Sequence, residues 1–126
     1  MKKNFKKKQL IFNYNYFAKD LHGFGEVLKA TKVESGDDIV LIQVNESGEC
    51  ETTADRLYVP AGDRICRKCG CVVLKQGNKE QHEIYPYFCP DCDEDLFTKD
   101  TVKVKAKEYL ECLKDSRGRF INVKED

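Results

Sequence analysis

Residues 66–92 read CRKCGCVVLKQGNKEQHEIYPYFCPDC, two C-x-x-C pairs separated by nineteen residues. Each pair sets two thiols about one tight turn apart, and a hairpin of this length can fold the second pair onto the first to complete a tetrahedron of sulfur. The expected metal ligands are Cys66, Cys69, Cys89 and Cys92. Two disulfides are the competing reading. Seven cysteines cannot all pair, however, and the lysine-rich N-terminal stretch has no apolar secretion core, so a reducing, cytoplasmic setting is expected. Four thiolates close a tetrahedral shell, whereas a catalytic metal keeps one position for water.

The two turns, Cys66-Arg67-Lys68-Cys69-Gly70 and Cys89-Pro90-Asp91-Cys92, match the C-x-x-C-G and C-P-x-C knuckles of zinc ribbons, and this stretch resembles such a ribbon. The resemblance covers about thirty residues and implies structural Zn2+, with rubredoxin-type iron as the alternative ion. In such knuckles backbone amides after the first cysteine point at its sulfur. Gly70 can take a positive φ, Pro90 fixes φ inside its turn, and Asp93 stands where Gly is more usual but tolerates the left-handed region. Cys71, one residue past the first knuckle, is expected to point away from the metal, with ligand exchange or redox sensing as its sharper role.

His82-Glu83-Ile84-Tyr85-Pro86 also resembles the H-H-I-x-P motif of metal-binding HNH endonucleases. Here Gln81 replaces the general-base histidine, only six residues separate His82 from Cys89, and no terminal histidine follows Cys92. Attack on phosphate then lacks both base and metal site. No other catalytic set is present: there is no phosphate loop, and the two histidines lie sixty residues apart. The expectation is a protein that is not an enzyme and has no small-molecule substrate.

Composition narrows the partners. With 22 cationic and 22 acidic side chains the net charge is zero, unlike a strongly basic nucleic-acid protein. The distribution is uneven: residues 1–30 carry seven cations against two acids, and residues 31–65 three against eight. No apolar run approaches a membrane span. Frequent Lys, Asn, Ile, Tyr and Phe without Trp is the usage of an AT-rich genome, such as a low-GC bacterium or its phage.

Four regions are expected along the chain. Residues 1–9 form a basic arm with Lys2, Lys3, Lys6, Lys7 and Lys8, read either as solvated and mobile or as a phosphate-contacting segment. Residues 10–64 hold β-prone runs: LIFNYNYF (10–17), whose aromatics are expected in the core; Glu26–Val33; DDIVLIQV (37–44); and Glu51–Val59. Short polar turns join them, so a meander closing into a small barrel is expected. The G-x-V strand, acidic turn and Leu57-Tyr58-Val59-Pro60 exit are loosely similar to SH3-like or Tudor-like barrels, which bind peptides or nucleic acid.

Residues 65–97 are the ribbon, joined through Asp63-Arg64-Ile65 without a flexible linker, its tip flanked by Lys75 and Lys79. In residues 98–126, Asp100 is a plausible N-cap. Val102, Ala106, Tyr109, Leu110 and Leu113 predict a helix over 101–114, followed by a turn with Arg117 and Arg119 and a short strand at Phe120, Ile121 and Val123. The fold class is thus mainly β: a small barrel packed with a four-cysteine ribbon and one C-terminal helix.

Two functions fit. One is a non-enzymatic, nucleic-acid-associated module in transcription or replication, with contacts from the lysine arm, Lys75, Lys79, Arg117 and Arg119. The other is a small accessory factor or inhibitor, such as a phage-encoded one, docking on a larger host enzyme through the acidic stretch from Glu34 to Asp63.

Overall fold

A computed structural model describes residues 3–15, 17–44, 48–76 and 84–121. Its centre is one long strand, β7 (Leu57–Cys66), which crosses from the N-terminal part of the chain into the cysteine hairpin without a break. The start of β7 pairs with β2 (Leu10–Asn13), its middle with β8 (Val72–Lys75), and its end with β11 (Thr101–Lys103). Outward from β2 lie β3 (Gly23–Val27), β5 (Ile39–Val44) and β6 (Glu49–Thr53); outward from β8 lie β9 (Tyr87–Cys89) and β10 (Glu94–Leu96). A separate antiparallel pair joins β1 (Lys3–Phe5) to β4 (Thr31–Val33).

The protein is mainly β, as expected, but the barrel is not what the pairing shows. Among the described residues the strand path runs open from β10 to β6. Glu26–Val33 is two strands rather than one: β3 stays in the large sheet, while β4 turns away to pair with β1. Glu51–Val59 is likewise divided by a 3-10 turn at Ala54–Arg56.

Alternation along the strands sends neighbouring side chains to different cores. Ile11, Val27, Val40, Ile42, Val44 and Leu57 meet Phe5 and Val33 of the β1–β4 pair. Phe12, Phe24, Val72, Leu74 and Phe88 face the other way and are covered by Tyr109. The third core holds Cys66, Cys71, Val73, Cys89 and Leu96. Gly25 is required where β3 meets β5, since a Cβ there would run into the Gln43 carbonyl and Val44. Buried Asn13 is satisfied on both sides: its Nδ2 donates to the Leu21 carbonyl at 2.7 Å, and its Oδ1 accepts from the Thr52 hydroxyl at 3.0 Å.

The chain after the ribbon differs from its sequence pattern. Thr98–Asp100 forms a 3-10 turn in which the Asp100 carboxylate accepts from the Phe97 amide. The β-branched residues Thr101 and Val102 then extend the sheet, because the end of β7 offers them an unpaired edge. Helix α1 begins only at Ala106 and continues to Ile121, through the segment expected to be a turn and a strand. It packs across β7, β3 and β8. Of the expected stripe Tyr109 and Leu113 face the core, joined by Cys112 and by Val104 before the helix, whereas Ala106 and Leu110 are exposed. No helix of the described residues is long and apolar enough to cross a membrane.

Candidate functional site

The two knuckles converge on one point. The sulfurs of Cys66, Cys69, Cys89 and Cys92 all lie within 4.8 Å of one another. Cys66 Sγ is 3.9 Å from Cys92 Sγ, and Cys69 Sγ is 3.5 Å from Cys89 Sγ. Four sulfurs about 2.3 Å from a central ion would stand roughly 3.8 Å apart, so this donor set fits a tetrahedral metal.

Local backbone chemistry builds the convergence. In the first knuckle the Gly70 amide donates to the Cys66 carbonyl at 2.9 Å, and the Cys66 amide to the Cys71 carbonyl at 2.8 Å. In the second, the Asp93 amide donates to the Cys89 carbonyl at 2.8 Å and the Cys92 amide to Cys89 Sγ at 3.4 Å. Gly70 and Asp93 occupy equivalent places, with φ of 79° and 57°, which accounts for both residue types.

Electrostatics set the sulfurs apart. A hydrogen bond with Cys71, then burial, pushes the Cys89 thiol far up; burial does the same to Cys69 and raises Cys92 to about 11. Burial also opposes ionisation of Cys66, but the amides of Cys69 and Lys68, together with hydrogen bonds from the Cys69 and Cys89 thiols, bring that thiol below its ordinary value. Crowded thiols that resist ionising together become ligands by exchanging protons for a divalent cation.

Cys71 does not point away. It is fully buried in the same core as the ligands and hydrogen-bonds Cys89. The sequence signal for this is parity: with Cys69 held in the knuckle, Cys71 lies two residues on and Val73 four, all on the side of the cysteine core. Cys50 packs beside the first core and Cys112 beside the second, so neither joins the cluster.

A polar link ties the second knuckle to β2. The Tyr14 hydroxyl donates to Asp93 Oδ1 at 3.0 Å, and His22 stands edge-on to both Phe12 and Tyr14. The Asn15 amide donates to His22 Nδ1 at 3.1 Å, and burial lowers the pKa of this imidazole, partly opposed by Asp93. His22 is therefore a neutral structural acceptor.

The expected contact residues are dispersed. Lys2 and Lys79, like Gln81 and His82 of the nuclease-like motif, lie outside the described residues. Residues 3–5 of the expected solvated arm form β1, with Phe5 only 2% exposed. Lys3 sits on that strand, and Lys6, Lys7 and Lys8 are exposed on the turn after it. Lys75 is exposed at the end of β8 on the ribbon. Arg117 and Arg119 belong to α1, with side chains outside the described residues. Of the aromatics expected in the core, Phe12 is buried and Tyr14 half-buried, but Phe17 is 87% exposed and Tyr16 falls outside the description. Sequence reading passed over Lys29 and Lys32, which the β1–β4 pairing carries beside the lysine turn.

In comparison with known proteins, no family model, no curated protein and no solved structure matches this chain.

Proposed function

We propose that this is a non-enzymatic, nucleic-acid-associated binding protein in which a structural zinc ion, held by Cys66, Cys69, Cys89 and Cys92, staples a ribbon to a β scaffold. The four-sulfur donor set supports zinc, which favours tetrahedral thiolate shells and supplies folding energy rather than chemistry when all four positions are filled. The sulfurs hold the ion, and the amides around them orient and stabilise the charged ligands.

The observation that carries the binding reading is the anchored lysine turn. Phe5 is buried and β1 is paired, so Lys6, Lys7 and Lys8 are presented from fixed backbone. Fixing three cations in advance removes ordering cost from phosphate binding. Fluorescence anisotropy of zinc-loaded protein with labelled nucleic acids at two salt concentrations tests it. Binding that weakens steeply with salt and collapses in a Lys6→Glu, Lys7→Glu, Lys8→Glu variant is expected. No binding at low salt would sink the reading and turn the search to a protein partner, the accessory-factor alternative.

A further inference from the structure

Resting on that nucleic-acid reading and deepening it, we infer that the β1–β4 pair and its two flanking turns dock on the phosphodiester backbone of a nucleic-acid duplex. The register Asn4–Lys32 and Phe5–Thr31 lays the two short strands side by side. Just beyond that ladder the β1–β2 turn exposes Lys6, Lys7 and Lys8, and the β3–β4 turn exposes Lys29, with Lys32 exposed on β4. Backbone bonds fix the arrangement: the Lys8 amide donates to the Val27 carbonyl at 2.7 Å, the Gln9 amide to the Lys6 carbonyl at 3.1 Å, and the Lys6 amide to Gln9 Oε1 at 2.9 Å. Two segments distant in sequence thus form one cationic surface over buried Phe5 and Val33.

The neighbouring acids do not cancel it. Glu34 reaches Lys32 at 3.8 Å, but both side chains are largely exposed, and so solvated a pair is weak and readily exchanged for phosphate. Glu26 is half-buried opposite Leu10. Glu51, on β6, is one acid among the residues that line a groove of about 390 Å3 with Lys29, Thr31 and Lys32.

Among the described residues no exposed ring lies at this surface, which favours the duplex. A single-strand platform needs exposed aromatic faces interleaved with cations, on which bases stack. Phe5, Phe12 and Phe24 are all buried. Exposed Phe17 follows the far end of β2, opposite the lysine turn, and exposed Phe97 belongs to the ribbon end of the sheet. Lysine ammoniums are compact charges suited to phosphate, and phosphate contacts position a protein without reading sequence.

The test is anisotropy with a labelled DNA duplex, an RNA duplex of the same sequence and the separated strands, across a salt series. Wild type is compared with Lys29→Ala/Lys32→Ala, Lys29→Glu/Lys32→Glu and, as control, Lys19→Ala at the far end of the β2–β3 hairpin. Duplex is expected to bind more tightly than either strand, and the stronger of the DNA and RNA duplexes identifies the backbone. The alanine pair should flatten the log K against log salt slope by about 2, roughly one unit per lost lysine. Reversal should abolish binding with circular dichroism and metal content unchanged, and Lys19→Ala should leave the slope as it was. Preference for single strands, or slopes unchanged in both Lys29/Lys32 variants, would overturn this docking surface while leaving the nucleic-acid reading standing. No binding to any probe at the lowest salt would overturn both.

Discussion

At one end of the sheet Phe5, Val33 and Val40 close an apolar core beneath an exposed lysine turn; at the other, Cys66, Cys71 and Cys89 share a small core with Val73 and Leu96 beneath an acidic knuckle. The first end has enough apolar side chains to hold itself together. The second adds only Val73 and Leu96 to its buried sulfurs, and so small a core calls for a metal or similar staple. One continuous strand, β7, serves both ends, so each can fail by its own mechanism while the sheet between them persists. On the proposed reading the difference also separates the roles: the metal would hold the cysteine hairpin, and the core beneath the lysines would hold their turn.

The harshest way to break this contrast is to remove a ligand. Cys89→Ser takes one sulfur from the proposed zinc set, and structural zinc typically contributes about 10–16 kcal/mol to folding. Metal content should fall to background and β8–β10 should lose structure, whereas a Cys71→Ser variant should still bind metal; atomic absorption and circular dichroism check both. Phe5→Ala attacks the opposite end and should cost about 3–5 kcal/mol in urea unfolding. It should weaken nucleic-acid binding without altering metal content.

Acid sharpens the comparison. The thiols of Cys69, Cys89 and Cys92 are raised, so below those values they carry protons that a metal must displace. Affinity should therefore rise with pH by about tenfold per unit for each proton displaced, read by chelator competition. His22 behaves in the opposite sense to a salt-bridged histidine. Its folded pKa lies below 6.5, so the unfolded chain takes up the proton first. Stability is full above that value and is lost as pH falls toward the folded pKa, and His22→Gln should flatten the dependence. The smallest effect is expected from Tyr14→Phe, which deletes the bond to Asp93 between the two regions; a loss of about 0.5–1.5 kcal/mol is expected in the same unfolding assay.

The convergence of the four cysteines was legible in the sequence because knuckle spacing, Gly70 and the left-handed place of Asp93 are local chemistry. So was β5, whose alternation buries Val40, Ile42 and Val44. The lysine surface was not legible as a whole. Joining Lys6–Lys8 to Lys29 and Lys32 depends on β4 leaving the meander to pair with β1, a long-range choice driven by burial of Phe5 and Val33. The end of the chain misled for a related reason. Val102 fits a helical stripe, but an open edge on β7 captured it together with Thr101, and Ser116–Arg119 read as a turn by composition while the helix continues through it. Propensity yields where a tertiary partner supplies hydrogen bonds that a local pattern does not show.

The most direct measurement is hydrogen exchange of the full chain, metal-loaded and after chelation, followed segment by segment. Faster exchange confined to β8, β9 and β10, with β2, β3 and β5 still protected, is the result expected if metal holds one end and apolar packing the other. Protection unchanged along the whole chain, or lost uniformly from β2 to β10, would contradict it.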